Sequence, residues 1–219
     1  MAEQLTVPQA FTLLLTEPDG RRVLDAQRFD AGLAGAVLAD LAVRGVVSLD
    51  GKHVQVVSGA PTGSAVLDDV VGTIAASGGP RGAKWWVTRL GKRQLRDDVY
   101  AELVSKGLLT STQRTTLRIF TTTSFPEADG RPEQQLRTTV LGVLDGHAAP
   151  TPFAAAVIGL LDATRTLRGQ FGKVDKARVQ DITSGTWASV AVKRVLQDVQ
   201  TAIMLAGVTA ASAATASSS

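Results

Sequence analysis

The chain has 219 residues, 44% of them hydrophobic and 20% charged, with a formal net charge of +3. That is enough to bury a core as one domain or a closely packed pair. Having no cysteine and only His53 and His147 as histidines, it excludes disulfides and thiolate metal sites and argues against a histidine metal site. No basic region precedes the short apolar run near the N-terminus, and no stretch reaches the ~20 apolar residues of a spanning helix, Ala202 to Ala216 being alanine-rich and too short. The expectation is a cytoplasmic protein whose membrane contacts, if any, are peripheral.

Taken in order, Thr6 caps a first helix that opens on Val7-Pro8, where proline's missing N–H is harmless, and ends at Leu13 to Leu15. Pro18-Asp19-Gly20 is a turn, and Arg21 to Leu24 reads as a short strand. Asp30 reads as the N-cap of a second helix, with Leu33, Val37, Leu38 and Leu41 on one face. Arg44-Gly45 closes it with a cation at the negative helix end and a glycine for the left-handed cap. Val46 to Leu49 and His53 to Val57 flank Asp50-Gly51, a strong hairpin signal. Helix, glycine stop and hairpin are the outline of a winged-helix-like unit. The loop Ser58 to Gly63 leads to a helix through Val66, Leu67, Val70, Val71 and Ile74, ended by Ser77-Gly78-Gly79-Pro80.

A further helix is predicted from Arg89 to Lys106, with Leu95, Val99 and Leu103 as its apolar stripe. Lys106-Gly107 stops it as Arg44-Gly45 stops the earlier one, so LAVRGVVSL and LVSKGLLTS echo one unit. Leu108-Leu109 and Thr116 to Thr123 read as a second hairpin, and Phe125 to Arg131 as a loop. Helices follow over Pro132–Leu144, Pro152–Leu167, Val174–Ile182 and Thr186–Val208. The organisation is one domain over residues 1–208 and a disordered Ala/Ser/Thr tail over 209–219. The fold class is mainly α: a helical bundle core surrounded by further helices, with small β-hairpins.

One stretch concentrates charge. Six of the sixteen residues from Arg81 to Arg96 are basic (Arg81, Lys84, Arg89, Lys92, Arg93 and Arg96), with no acid before Asp97-Asp98. On a helix, Arg89, Lys92, Arg93 and Arg96 share about 100° of arc. Trp85 and Trp86 stand at its edge, and tryptophan favours the boundary between apolar and headgroup layers. A solvated helix face is the ordinary reading of such a run; single sign, shared arc and flanking tryptophans favour an anionic partner. Arginine suits phosphate because its fork pairs bidentately with phosphate oxygens.

Catalytic patterns are absent. The loop Gly59 to Gly63 with Ser64 lacks the lysine of a P-loop, there is no G-x-S-x-G elbow, and the adjacent pairs Asp68-Asp69 and Asp97-Asp98 face different ways on their helices. No enzyme, catalytic residue, metal site or cofactor is expected.

Five segments in order, LTVPQAFTLLL, GLAGAVLADLAVRGVVSL, GAPTGSAVLDDV, LRDDVYAELVSKGLLT and IFTTTSFPEADGRPEQQLRTTVLGVL, together resemble the Golgi phosphoprotein 3 family, its bacterial members included. The resemblance covers roughly residues 5–145. It implies a central helical bundle with a protruding hairpin and a non-enzymatic peripheral membrane adaptor that binds phosphatidylinositol 4-phosphate. The family's headgroup pocket carries over in part: its paired basic residues match Arg93 and Arg96, while its other arginine and its tryptophan fall on Ala34 and near Asp25. Arg22 and Arg28 are the nearby substitutes.

The expected headgroup ligands are therefore Arg93 and Arg96, with Arg89 and Lys92 adding attraction and Trp85, Trp86 and Phe125 flanking the membrane. The expected partners are an anionic phospholipid surface, a client protein, and a second copy through the hairpin near Leu117 to Phe125. Nucleic acid, the rival suggested by the winged-helix outline, is disfavoured by the modest charge and by Asp97 and Asp98. A protein-interaction module with no lipid role is the other rival.

Overall fold

The computed structural model describes residues 5–116, 120–185 and 190–216. The first helix, α1 (Val7–Leu14), begins in a capping box: the Thr6 hydroxyl accepts from the Gln9 N–H at 3.3 Å, and the Gln9 side chain accepts from the Thr6 N–H at 3.1 Å. The strand expected at Arg21 to Leu24 is a single bridge between Thr16 and Arg22.

Helix α2 (Ala26–Val43) is the centre of the molecule. It is apolar on nearly all sides, the signature of a helix enclosed by others; Leu33, Ala34, Ala36, Val37, Leu38, Ala39, Leu41 and Ala42 are fully buried. Its N-cap is Asp25, whose carboxylate accepts from the Arg28 N–H at 2.9 Å. The helix thus starts a turn earlier than expected from Asp30. Both aspartates are followed by suitable helix residues, but only Asp25 has extended backbone and a free carboxylate; Asp30 is engaged elsewhere.

The first hairpin forms as expected. Strands β1 (Val47–Asp50) and β2 (His53–Val56) pair with Asp50 opposite His53, and Gly51 takes the left-handed turn conformation at φ +60°. Helix α3 (Ala65–Ala75) is capped by Ser64. A third strand, β3 (Arg81–Gly82), then adds to β2.

The predicted helix over Arg89 to Lys106 is two helices, α4 (Ala83–Leu90) and α5 (Arg93–Ser105). The break at Gly91-Lys92 has a packing cause. A Cβ on Gly91 would lie 2.7 Å from the Val87 carbonyl oxygen and 3.2 Å from that of Asp30, so the chain turns over α2 at a distance only glycine permits. The continuous arc of Arg89, Lys92, Arg93 and Arg96 therefore does not exist.

Strands β4 (Thr112–Thr116) and β5 (Phe120–Ser124) pair from Thr112–Ser124 to Thr116–Phe120. Leu109, expected in this hairpin, instead bridges to Glu127. The rest is helical: α6 (Arg131–Leu144), α7 (Pro152–Ala163), α8 (Leu167–Phe171), α9 (Lys176–Ser184) and α10 (Val190–Ala216). Helix α7 stops short of the expected Leu167 because Arg165 adopts a left-handed φ of 59°. Helix α10 continues past the expected end at Val208, in keeping with alanine's helix propensity. Helices α1, α4, α5, α7 and α10 pack around α2, and the architecture is mainly α with two small antiparallel sheets.

Candidate functional site

The basic run divides between two places. The first is the seam between α2 and α5. One turn into α2, Asp30 faces Arg96, whose Nη1 donates to both carboxylate oxygens at 2.7 and 2.9 Å. Their side chains are only 12% and 10% exposed. Burial holds the Asp30 carboxyl above the usual carboxylate range, against the opposing pull of Arg96 and Arg22.

One turn along α5, the buried Tyr100 hydroxyl lies 2.8 Å from that of Thr16. Thr16 already donates to the Thr12 carbonyl at 2.7 Å, so Tyr100 is the donor between them. Desolvation raises the phenol above its ordinary value. The Tyr100 ring stacks on Phe125 at 4.2 Å and on Phe29 at 6.2 Å.

This arrangement corrects two expectations. Arg96 does not present its guanidinium to solvent: it is buried and neutralised by Asp30. Nor is Phe125 exposed at a hairpin tip. It is half-buried at the base of β4–β5, directly after the last residue of β5, and stacks on Tyr100. Residues 117–119, which join the two strands, lie outside the described residues. Gly20 fixes the base further: at φ +85° it approaches Phe125 so closely that a Cβ would stand 2.5 Å from the Phe125 backbone nitrogen.

The positions where the headgroup pocket departs also have structural duties. Asp25 is the α2 cap and Ala34 is core. Arg28 donates to the Thr164 carbonyl at 2.6 Å, a cation at the α7 C-terminus. Arg22 lies over the Phe29 ring at 6.0 Å.

The second place is the outer face of α4. Its inner side, Ala83, Trp86 and Val87, is buried where the helix packs on α2 and α10. Lys84, Trp85, Thr88 and Arg89 face outward. Trp85 is 41% exposed, whereas Trp86 is buried and meets the Trp85 ring edge-on at 4.8 Å. Of the two tryptophans, then, one faces solvent and one is core. The Arg81 guanidinium sits 5.2 Å from the Trp85 ring centroid, a cation–π contact. Among the described residues no carboxylate comes within 4 Å of Arg81, Lys84, Arg89 or Lys92. Arg93 is exposed and pairs with Asp97 at 3.2 Å. The structure thus brings Trp85, Arg89 and Arg81 together, leaves Lys92 and Arg93 exposed beyond the Gly91 break, and turns Arg96 and Trp86 inward.

Two acids missed by the sequence reading organise the bundle. Asp40 accepts from the Val7 N–H at 2.6 Å, and Glu102 accepts from the Val66 N–H at 3.1 Å, from the Ser64 hydroxyl at 2.8 Å and from the Gln9 side chain at 2.9 Å. Each carboxylate satisfies the start of another helix. The signal lay immediately before the echoed segments: Asp40 precedes Arg44 by four residues, as Glu102 precedes Lys106. No group of three or more His, Cys, Asp or Glu side chains capable of holding a metal occurs among the described residues.

Fold and surface together define a helical domain built around one enclosed helix, with small hairpins and an outward cationic face bearing an exposed tryptophan. The family model for Golgi phosphoprotein 3 (GPP34) matches residues 7–199, and the chain belongs to that family. No curated protein matches the chain. Among the described residues no helix is long and apolar enough to cross a membrane.

Proposed function

We propose that the protein is a peripheral, non-enzymatic adaptor that docks on anionic phospholipid through the outer face of α4 and the exposed cations that follow it. The observation that carries this reading is Trp85, exposed under Arg81 and flanked by Lys84 and Arg89, none of these cations having a carboxylate within 4 Å among the described residues. Each Lys or Arg held at an anionic bilayer contributes about 1 kcal/mol, screened by salt. With Lys92 and Arg93 added, the attraction supports reversible binding, and Trp85 supplies an anchor at headgroup depth.

Membership of the Golgi phosphoprotein 3 family supports the adaptor role and, by its type, a phosphatidylinositol 4-phosphate headgroup. Within the α2–α5 seam, however, Arg96 is engaged with Asp30, so Arg93, exposed and paired only at the surface with Asp97, is the member of the expected pair that can reach a headgroup. We therefore assign lipid choice to negative charge first. Outward-facing Asp97 and its neighbour Asp98, which accepts from Gln94 at 2.8 Å, argue against α5 as a nucleic-acid recognition helix.

Vesicle flotation tests the reading. The full chain should float with phosphatidylglycerol, cardiolipin or phosphatidylinositol 4-phosphate vesicles, fail with phosphatidylcholine alone, and lose binding as salt rises. Flotation indifferent to lipid charge, or absent with every composition, would sink it.

A further inference from the structure

Arg81 and Arg89 converge on a depression of about 400 Å³ between the end of α3 and the outer side of α4. Thr73, Ser77 and Gly78 close it on one side, and Trp85 and Trp86 on the other. The two arginines come from different elements: Arg81 is held by β3, which pairs with β2 through Val54–Arg81, and Arg89 stands on the last turn of α4.

From these features we propose that the depression is a binding site for a phosphoryl group, a phosphate monoester or diester, gripped by Arg81 and Arg89. It deepens the membrane-docking reading by giving that face a specific headgroup pocket. It lies apart from the Arg93 and Arg96 positions, neither of which lines it.

Four observations support an anion of this kind. Among the described residues neither guanidinium has a carboxylate within 4 Å to meet its charge. Asp69 and Asp98 line an adjoining depression that shares Arg89, and both stand beyond salt-bridge distance of it. The ring of Trp85, 5.2 Å from the Arg81 guanidinium, holds that group over its face and leaves the planar N–H edge able to donate to phosphate oxygens. No carboxylate lines the depression: besides the two arginines and the two tryptophans its wall is Thr73, Ala76, Ser77 and Gly78, and the hydroxyl protons of Thr73 and Ser77 go to the carbonyls of Asp69 and Ile74 at 2.9 and 2.8 Å. Finally, a Cβ on Gly78 would meet nothing within 4 Å, so packing does not require glycine there, and its bareness leaves the rim open.

A volume near 400 Å³ admits a phosphoryl group together with a glycerol or a single sugar ring. The phosphoryl group has two sources of the same chemistry: the headgroup of a lipid or a free phosphomonoester.

The test uses the full chain and its tryptophan fluorescence, two of whose three indoles line the site. Inorganic phosphate and glycerol 1-phosphate are titrated against chloride at equal ionic strength. In parallel, phosphatidic acid vesicles are compared with phosphatidylcholine vesicles. Arg81→Gln with Arg89→Gln is the site variant, and Arg131→Gln, an exposed arginine paired with Asp129, is the control.

The expected result is a saturable spectral change in the parent and the control, weakened about tenfold or more in the double variant. Circular dichroism confirms that the variants, changed only at exposed positions, remain folded. Absence of saturable binding, or binding unchanged in the double variant, overturns the site. Vesicle flotation that survives the double variant, with no response to soluble phosphate, overturns the site but keeps the membrane reading. A soluble-phosphate response that needs both arginines, without any flotation, supports the site as one for free phosphomonoesters and overturns the membrane reading. Both responses lost together in the double variant assign the site to lipid headgroups.

Discussion

Two parts of one basic run meet opposite fates. At the α2–α5 seam, Arg96 is drawn into the protein, paired with Asp30 beside the Phe29–Tyr100–Phe125 stack. On β3 and α4, Arg81 and Arg89 stay outside, with no carboxylate within 4 Å among the described residues, against an exposed tryptophan. The two sets are separated by Gly91, where the chain turns over the α2 backbone. A positive charge within the fold carries structural weight; one at the surface with no counter-charge is free to act on something else.

The strongest way to break this comparison is to remove one arginine from each side. Arg96→Ala leaves the Asp30 carboxyl largely buried without its partner and should cost about 3 kcal/mol of stability by urea unfolding. Arg89→Ala, at an exposed position with no ion pair among the described residues, should stay within about 0.5 kcal/mol of the parent. Equal effects would mean that the seam is not a structural joint.

The pH dependence gives the sign independently. Burial raises the Asp30 carboxyl in the folded state, so its contribution is fully present below the ordinary aspartate value and is lost as pH rises through the folded value. Removing Arg96 takes away an attraction that lowers it, so the folded value rises further. The deficit of Arg96→Ala should therefore shrink in acid, where Asp30 carries its proton in both proteins. It follows, too, that loss of vesicle binding in any Arg96 variant reports on folding before it reports on lipid.

Tyr100 sharpens the seam side. It is the sole tyrosine, so the near-ultraviolet absorbance of tyrosinate reads it alone. Desolvation holds its proton in the folded protein above the ordinary phenol value of about 10. Its contribution to stability is present below that value and is lost as pH rises through the folded one. Titration should show tyrosinate appearing late in the folded protein and at the ordinary pH in urea. Tyr100→Phe should cost about 1 kcal/mol at neutral pH for the lost bond to Thr16 and should flatten the alkaline decline. A normal titration in the folded protein would show the ring to be wetter than its stacking implies.

The difference between the two regions also explains what was legible in the sequence. Local signals read well. Thr6 announced the α1 N-cap, Asp50-Gly51 the first hairpin, and Arg44-Gly45 and Lys106-Gly107 the helix ends. The family resemblance was carried by ordered motifs and is matched over residues 7–199. What failed depended on partners distant in sequence. Asp30 looked like a cap because its side chain was considered without Arg96, 66 residues away. The helix across Gly91 looked continuous because periodicity does not register the α2 backbone beneath it. Phe125 looked like an anchor because neither Gly20 nor Tyr100, its neighbours in space, adjoins it in sequence. The cationic run was visible as composition; which cations face outward was decided by tertiary packing alone.

The smallest effect on stability, and the most telling for the outer face, belongs to Trp85. Its ring is 41% exposed, makes an edge contact with Trp86 and lies under Arg81. Trp85→Ala removes a cation–π contact of about 0.5–1 kcal/mol at an exposed site. Since it opens no cavity in the core, the unfolding midpoint should hardly move. The same substitution strips the face of its one exposed aromatic ring while leaving every positive charge in place. If the ring is an interfacial anchor, flotation with phosphatidylglycerol vesicles should fall several-fold at moderate salt, where charge attraction is screened. At low salt the cations alone should restore much of it. Flotation unaffected at both salt concentrations would show that the exposed ring serves only to orient Arg81, and docking would then rest on charge alone.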